Sequence, residues 1–163
     1  MLLRHACLIP KLLRNYKRLL IDREPVLRSV DFSITAACPC ACKHCCVAPL
    51  ADSTRQPMSL EEKVNAIDQI LALGAVAINF MGGEPLADPD LPALVAHVPR
   101  CEAVVVVTTN GVLLDEASLD RLIGAGLGIL AVSLDEPDPA AHDAFRGRAG
   151  TFAAAMAAVV AAR

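Results

Sequence analysis

The chain has few aromatic residues: its 163 positions contain no Trp, one Tyr and four Phe. A nucleic-acid partner bound on stacked aromatic rings is therefore not expected. The chain also lacks an apolar run of 18 residues, which a membrane-spanning helix needs, and a recognisable secretory signal. Its seven cysteines are odd in number and mostly clustered, which argues against a disulfide framework. We expect a cytoplasmic protein in which Cys7 and Cys101 are ordinary thiols.

Positive charge is concentrated at the start of the chain. Residues 1–28 contain seven Lys or Arg and two acidic residues, a charge of +5 within a chain of net charge −3. The same segment predicts an amphipathic helix over 10–21, because Pro10 suits the first turn and leucines recur on one face. We expect residues 1–27 to form a basic N-terminal arm, which either docks an acidic or peptide partner or is simply solvated.

After residue 28, short apolar segments alternate with amphipathic ones. Strands are predicted around 30–34 and over 75–81, 103–108 and 128–134. Helix starts are predicted from four capping residues: Ser59, Asp88, Asp115 and Thr151. This alternation predicts the α/β class, with a parallel sheet built from βα units. Because crossovers in such sheets are right-handed, the carboxyl ends of all four strands should lie at one edge.

Three cysteines with the spacing C-x3-C-x2-C follow the first predicted strand: Cys38, Cys42 and Cys45. Three thiolates from one short loop suit a cubane iron–sulfur cluster, and a [4Fe–4S] cluster normally takes four cysteine ligands. A triplet without a fourth ligand leaves one iron open to a substrate or cofactor. Zinc is the alternative, with Cys40, Cys46 or His44 as a further ligand, although zinc sites usually show two paired arms.

Glycines and polar residues follow the other three strands, in the runs Gly82-Gly83-Glu84, Thr108-Thr109-Asn110-Gly111 and Ser133-Leu134-Asp135. A carboxylate such as Glu84 pairs well with a ligand ammonium group. The side chains of Thr108, Asn110 and Ser133 offer hydroxyl and amide groups to a carboxylate or a ribose. Each run taken alone also fits a tight turn or a helix cap. Their matching positions at four strand ends favour a shared site.

These residues resemble the radical S-adenosylmethionine (radical SAM) superfamily. The cysteine triplet matches its cluster motif, and the runs after strands two, three and four match its cofactor-binding segments. A later run, His142-Asp143-Ala144-Phe145-Arg146-Gly147, followed by Gly150-Thr151-Phe152, is similar to the branch that contains MoaA and the SPASM-type peptide maturases. The resemblance covers residues 28–163.

The resemblance implies a [4Fe–4S] cluster on Cys38, Cys42 and Cys45 whose open iron chelates S-adenosylmethionine. Other cofactor contacts are implied for seven residues: Gly82, Gly83, Glu84, Thr108, Asn110, Ser133 and His44. Reductive cleavage of S-adenosylmethionine would give a 5′-deoxyadenosyl radical that abstracts hydrogen from an unidentified peptide or small-molecule substrate. A flavodoxin or ferredoxin would supply the electron.

The family fold is a (β/α)6 TIM-like barrel, and this chain supplies about four of the six units. We therefore expect residues 28–163 to be a truncated radical SAM core that needs a missing C-terminal segment or a completing chain. Two alternatives stay open. One is a catalytically incomplete half-barrel that binds an iron–sulfur cluster or a peptide, and the other is a zinc-binding module.

Overall fold

A computed structural model describes residues 6–50 and 56–162 of the chain. The first five residues of the predicted arm and the terminal Arg163 lie outside the described residues. The helices are α1 (Ile9–Leu20), α2 (Leu60–Ala72), α3 (Leu91–His97), α4 (Glu116–Ala125), α5 (Pro139–Arg146) and α6 (Thr151–Ala161). The strands are β1 (Ser29–Thr35), β2 (Ala77–Gly82), β3 (Val104–Thr109) and β4 (Ile129–Val132), and 3₁₀ turns occur at Ala48–Leu50 and Pro85–Ala87.

The four strands form one parallel sheet in the order β1-β2-β3-β4. The α/β prediction is confirmed, and the sequential strand order corresponds to four units of a partial TIM-like barrel. The last strand is shorter than the predicted 128–134 because only residues 129–132 pair with β3. Within the described residues, the second edge of β4 has no pairing strand.

The two faces of the sheet differ in polarity, as the alternation of side chains along a strand requires. One face is buried beneath α2, α3 and α4, and its core includes Ile67, Ile78, Phe80, Leu94, Val107 and Leu122. The opposite face carries a row of polar side chains. Thr108 donates to the Asn79 side chain at 2.8 Å, and Asn79 donates to Asp31 at 2.8 Å.

Two of the four predicted helix caps are confirmed. Ser59 and Asp115 each accept a hydrogen bond from the backbone N–H three residues later, and each belongs to a complete capping box. The prediction for Thr151 is wrong, because Gly150 occupies the cap and Thr151 is the first helical residue. The Thr151 hydroxyl donates instead to the Asp143 carboxylate at 2.8 Å.

Asp88 is also not the helix cap that the sequence predicted. It follows the 3₁₀ turn at Pro85–Ala87, and α3 begins after Asp90. Both carboxylates bind the Lys63 ammonium, at 2.7 Å from Asp88 and 2.8 Å from Asp90. The Lys63 and Asp88 side chains are 4% and 5% exposed, so this ion pair joins α2 to the β2–α3 connection inside the fold.

The N-terminal helix is anchored to the body of the domain by polar contacts. Lys11 is buried, and its ammonium lies 2.9 Å from the Glu102 carboxylate and 3.3 Å from the Leu71 carbonyl. Cys7 and Cys101 form a disulfide, with 4.9 Å between their Cα atoms. The prediction of two ordinary thiols is therefore wrong. The two residues are 94 positions apart, so their pairing could not be read from spacing.

The leucine face of α1 points outward, with Leu13, Tyr16 and Leu20 between 55% and 65% exposed. Two basic residues of this helix are paired locally: Lys17 binds Asp22 and Arg18 binds Glu24. Among the residues that the structure describes, no helix is both long enough and apolar enough to span a bilayer.

Candidate active site

The ends of all four strands open into one cavity of about 170 Å³. Nine of the ten predicted site residues line it: Cys38, Cys42, His44, Cys45, Gly82, Gly83, Thr108, Asn110 and Ser133. Five further residues also line it: Cys40, Cys46, Val47, Met81 and Arg146. The sequence suggested Cys40 and Cys46 only as ligands of the alternative zinc site. The tenth predicted residue, Glu84, lies behind the cavity and not on its surface.

Each sulfur of the cysteine triplet accepts a hydrogen bond from a different part of the chain. The Asn110 amide donates to Cys38 at 3.7 Å, and the Arg146 guanidinium donates to Cys42 at 3.8 Å. The backbone N–H of Ala48 donates to Cys45 at 3.3 Å. Donors of this kind stabilise negative charge on cysteine sulfur and adjust the potential of a bound cluster.

The cysteine loop begins against the glycine turn that follows β2. The N–H groups of Gly83 and Glu84 donate to the carbonyls of Thr35 and Ala37, both at 2.8 Å. A Cβ atom at Gly82 would collide with the Thr35 carbonyl, and one at Gly83 would collide with the Ala37 carbonyl. The two glycines are therefore required by the close approach of the cysteine-loop backbone.

Glu84 is 1% exposed and accepts three hydrogen bonds. Its partners are the Thr109 hydroxyl at 2.7 Å, the Asn110 N–H at 2.8 Å and the Leu86 N–H at 3.2 Å. Burial raises the pKa of the Glu84 carboxyl, and hydrogen bonds from Asn110 and Thr109 oppose part of that rise. Its carboxylate thus joins the ends of β2 and β3 and holds the loop that carries Asn110.

The far side of the cysteine loop rests on the end of α5. The N–H groups of Ala41 and Lys43 donate to the carbonyls of Arg146 and Phe145, at 3.1 and 3.0 Å. The His44 ring stacks on the Phe145 ring with centroids 4.7 Å apart and an interplanar angle of 11°. The sequence assigned His44 to a cofactor contact or to the alternative zinc site, and this stack is the contact that the structure gives it.

Arg146 connects the loop after β4 to the cysteines. Its guanidinium pairs with Asp135 at 2.6 Å and reaches the Cys42 sulfur. Nearby, the backbone N–H of Asp135 donates to the buried His142 ring at 3.3 Å. In the sequence, Arg146 belongs to the run 142–147, which carries part of the family resemblance. That resemblance did not indicate which side chains Arg146 contacts.

Cys40 and Cys46 share the cavity with the triplet, but they are placed differently. Among residues 6–50 and 56–162, no nitrogen donor reaches either sulfur. Burial, followed by the nearby Cys38 and Cys42, raises the pKa of the Cys40 thiol to about 11. The thiolate, which is the form that binds metals, is therefore disfavoured at Cys40 at neutral pH.

The donor set suits an iron–sulfur cluster. Five free thiols, the triplet among them, line one cavity, and thiolate ligands select such clusters as well as zinc. In the described part of the chain, no three His, Cys, Asp or Glu side chains converge on a single metal ion.

Comparison with known proteins decides the family. The profile of the radical SAM superfamily matches residues 32–163. The chain belongs to the radical SAM superfamily. Membership implies, in general, an iron–sulfur cluster and S-adenosylmethionine as cofactors.

Two curated relatives and one solved protein illustrate the similarity. The chain is 32% identical to an AdoMet-dependent heme synthase of Nitratidesulfovibrio vulgaris, over 85% of this chain and 38% of the relative. It is 38% identical to a PqqA peptide cyclase of Streptomyces rochei, over 70% of this chain and 31% of the relative.

Streptococcus suis SuiB has the same fold at 17% identity. Its structure with the precursor peptide SuiA gives a TM-score of 0.65 over 87% of this chain and 31% of SuiB. Its structure with S-adenosylmethionine gives 0.61 over 83% of this chain and 32% of SuiB. The chain therefore spans about a third of the length of each of these three proteins.

Proposed function

We propose that the chain is the N-terminal catalytic portion of a radical SAM enzyme, in which Cys38, Cys42 and Cys45 hold a [4Fe–4S] cluster. One observation supports this ligand set above the others. Each of these three sulfurs accepts a hydrogen bond from nitrogen, and the donors come from three separate segments. The cavity that they line also contains the polar residues from the ends of β3 and β4.

S-Adenosylmethionine would bind beside this cluster. Its ammonium group would donate to backbone carbonyls of the Gly82-Gly83 turn, because an ammonium group has donors and no acceptor. Its carboxylate and ribose would contact Thr108, Asn110 and Ser133. Arg146 adds a cation to the same wall of the cavity, and a guanidinium suits a carboxylate ligand.

Glu84 takes a different role from the one expected of it. All three of its hydrogen bonds are made to the chain itself, so we propose that it supports the cofactor site from behind. When bound and reduced, a cluster held by these cysteines would supply one electron for reductive cleavage of S-adenosylmethionine to methionine and a 5′-deoxyadenosyl radical, the species that would abstract hydrogen from the substrate. The residues of this chain orient the two cofactors and exclude water.

The substrate and the complete activity belong to a longer assembly. Since the chain spans 31–38% of the relatives described above, further strands in a C-terminal segment or in a completing chain would close the barrel. The relatives are named for heme synthesis and for cyclisation of a peptide, and SuiB binds a precursor peptide. We propose a peptide or small-molecule substrate, a flavodoxin or ferredoxin as reductant, and a cytoplasmic location.

The N-terminal segment has a separate role in this proposal. Residues 1–27 would form a docking arm and residues 28–163 the truncated core. The outward leucine face of α1 supports the arm, while the local pairing of Lys17 and Arg18 removes part of the basic charge that was assigned to it.

A second candidate function is a half-barrel that binds a cluster without cleaving S-adenosylmethionine. The unpaired edge of β4 in the described residues favours it, because the barrel cannot close on these four strands. Such a protein would hold iron and sulfide but would release no 5′-deoxyadenosine under strong reductant.

Anaerobic reconstitution with iron and sulfide tests the proposal. We expect four irons per chain on the [4Fe–4S] stoichiometry, an EPR spectrum that changes on addition of S-adenosylmethionine, and release of 5′-deoxyadenosine with dithionite. Cys42→Ser should lose the iron, whereas the matched variant Cys46→Ser, in the same loop, should retain it. A protein that takes up zinc and no iron would contradict the proposal.

A further inference from the structure

The cysteine loop has few backbone partners of its own. Between β1 and the 3₁₀ turn at Ala48–Leu50, residues 36–47 contain no helix or strand. Within this loop, the structure gives one local backbone bond, from Cys45 to the Cys42 carbonyl at 3.2 Å. The loop is therefore ordered by contacts with more distant parts of the chain.

Helix α5 supplies several of these contacts. The last four carbonyls of a helix accept no hydrogen bond from the helix itself. At the end of α5, the carbonyls of Arg146 and Phe145 accept instead from the N–H groups of Ala41 and Lys43. These two N–H groups flank Cys42 on either side. The backbone around the central cysteine is thus held by the C-terminal turn of a helix more than 100 residues later.

Phe145 adds a side-chain contact beside the third cysteine. Its ring stacks on His44, which directly precedes Cys45. His44 is otherwise exposed to solvent, so the stack fixes a side chain that would move freely. Parallel aromatic contacts of this kind contribute beyond simple burial.

The chain then leaves α5 in contact with the loop. Gly147 has φ +67°, the left-handed conformation that commonly ends a helix, and a Cβ there would collide with the Ala41 carbonyl. Asp143 holds the following turn by accepting the Phe152 N–H at 2.8 Å and the Thr151 hydroxyl at 2.8 Å. The end of α5 is thus fixed on both sides before any ligand is considered.

We propose that the end of α5 is a clamp that orders the cysteine loop before the metal arrives. The α5 clamp consists of the carbonyls of Phe145 and Arg146, the Phe145 ring and Gly147. Phe145 is its positioning residue, because its ring holds His44 and its carbonyl holds Lys43. The consequence for cluster assembly rests on the proposed function, whereas the ordering of the metal-free loop does not.

Amide hydrogen exchange on the metal-free, thiol-reduced chain tests the clamp directly. Phe145→Leu should speed exchange in the segment 38–47 roughly three- to tenfold, the range expected for loss of an aromatic pair. Phe145→Tyr keeps the ring and should exchange like the parent. Strands β2 and β3 should retain their protection in every variant, which shows that the fold is intact.

His44→Ala provides a second route, since it removes the same stack from the exposed side and leaves α5 unchanged. It should speed exchange in the same segment, and His44→Phe should restore the parent rate. Unchanged exchange in both Phe145→Leu and His44→Ala, with β2 and β3 still protected, would overturn the clamp.

Iron uptake during anaerobic reconstitution tests the positioning role. Phe145→Leu should incorporate iron more slowly than the parent and Phe145→Tyr at the parent rate. If the loop loosens but iron uptake is unchanged, the positioning role is wrong. If neither parent nor variants take up iron while the exchange differences hold, the proposed function fails and the clamp stands.

Discussion

The carboxylate of Glu84 accepts a hydrogen bond from the hydroxyl of Thr109 at 2.7 Å, in the interior of the domain. This bond joins the residue after the β2 glycine turn to the last residue of β3. The other carboxylate oxygen accepts the N–H of Asn110, whose side chain reaches Cys38. Glu84 therefore determines where Asn110 stands relative to the cysteines.

Glu84→Gln should destabilise the fold, because the amide replaces one acceptor oxygen by a donor that faces other donors. We expect a loss of about 1–3 kcal/mol in the free energy of unfolding, the usual cost of a broken buried hydrogen bond. Urea denaturation followed by circular dichroism measures it. Glu136→Gln, at an exposed position, is the matched control and should change stability little. Equal stability of the two variants would contradict the role given to Glu84.

The same carboxyl predicts a pH dependence. Burial raises the pKa of Glu84 above its ordinary value of 4.5, so the folded state binds the proton more tightly than the unfolded state. The contribution of the protonated Glu84 carboxyl to the free energy of unfolding is greatest below pH 4.5. It is lost as the pH rises through the raised pKa of the folded state. Between pH 4 and 7, the parent should therefore lose more stability than Glu84→Gln does. Parallel curves for parent and variant would show that Glu84 does not titrate in this way.

Lys63→Met should be strongly destabilising. Burial lowers the pKa of the Lys63 ammonium, but the bonds from Asp88 and Asp90 outweigh this and raise it, so the pair is charged. Removing the cation leaves the buried Asp88 carboxylate without a counter-charge, which costs about 3–5 kcal/mol. Lys17→Met is the control, since the 64% exposed Lys17 pairs with Asp22 at the surface and contributes about 0–1 kcal/mol. Thermal and urea denaturation compare the two.

Gly83→Ala should disturb the start of the cysteine loop. The added Cβ meets the backbone carbonyls of Ala36 and Ala37, which have no flexible end to move aside. We expect a loss of about 1–3 kcal/mol. At Gly124, in α4, nothing lies within 4 Å of an added Cβ, and Gly124→Ala should stabilise by about 0.5–1 kcal/mol. If both substitutions had the same sign in urea denaturation, the close approach at Gly83 would be wrong.

The Cys7–Cys101 disulfide predicts five free thiols in the unreduced chain and seven after reduction. Alkylation under denaturing conditions followed by mass spectrometry counts them. Because the bond closes a long loop, reduction should lower the free energy of unfolding by about 2–4 kcal/mol. In the double variant Cys7→Ser, Cys101→Ser, reduction should leave the free energy of unfolding unchanged. Seven free thiols without reductant would contradict the bond.

The sequence predicted correctly those parts of the fold that depend on interactions between residues close together in the chain. The capping boxes at Ser59 and Asp115 need only residues three apart, and the apolar strands are read from hydrophobicity alone. Asp88 fits a cap equally well by sequence. Its actual partner is Lys63, 25 residues earlier, and no local rule links the two.

The site shows the same division. Nine predicted residues line one cavity, because the parallel strands that they follow place their carboxyl ends at one edge of the sheet. Glu84 lies behind that cavity, since a residue after a glycine turn can face either the ligand or the next strand. The Thr109 hydroxyl, which bonds the Glu84 carboxylate, determines which way Glu84 faces. The position of that hydroxyl depends on how the strands pack and cannot be predicted from local sequence.

Cys42 precedes its α5 partner Arg146 by 104 positions, and this separation matters during translation. At about 5–20 residues per second, a ribosome needs roughly 5–20 s to make the intervening segment. Throughout that interval the helix that holds the cysteine loop does not yet exist. Metal delivery to this protein should therefore follow synthesis of the fourth βα unit and not accompany emergence of the thiols.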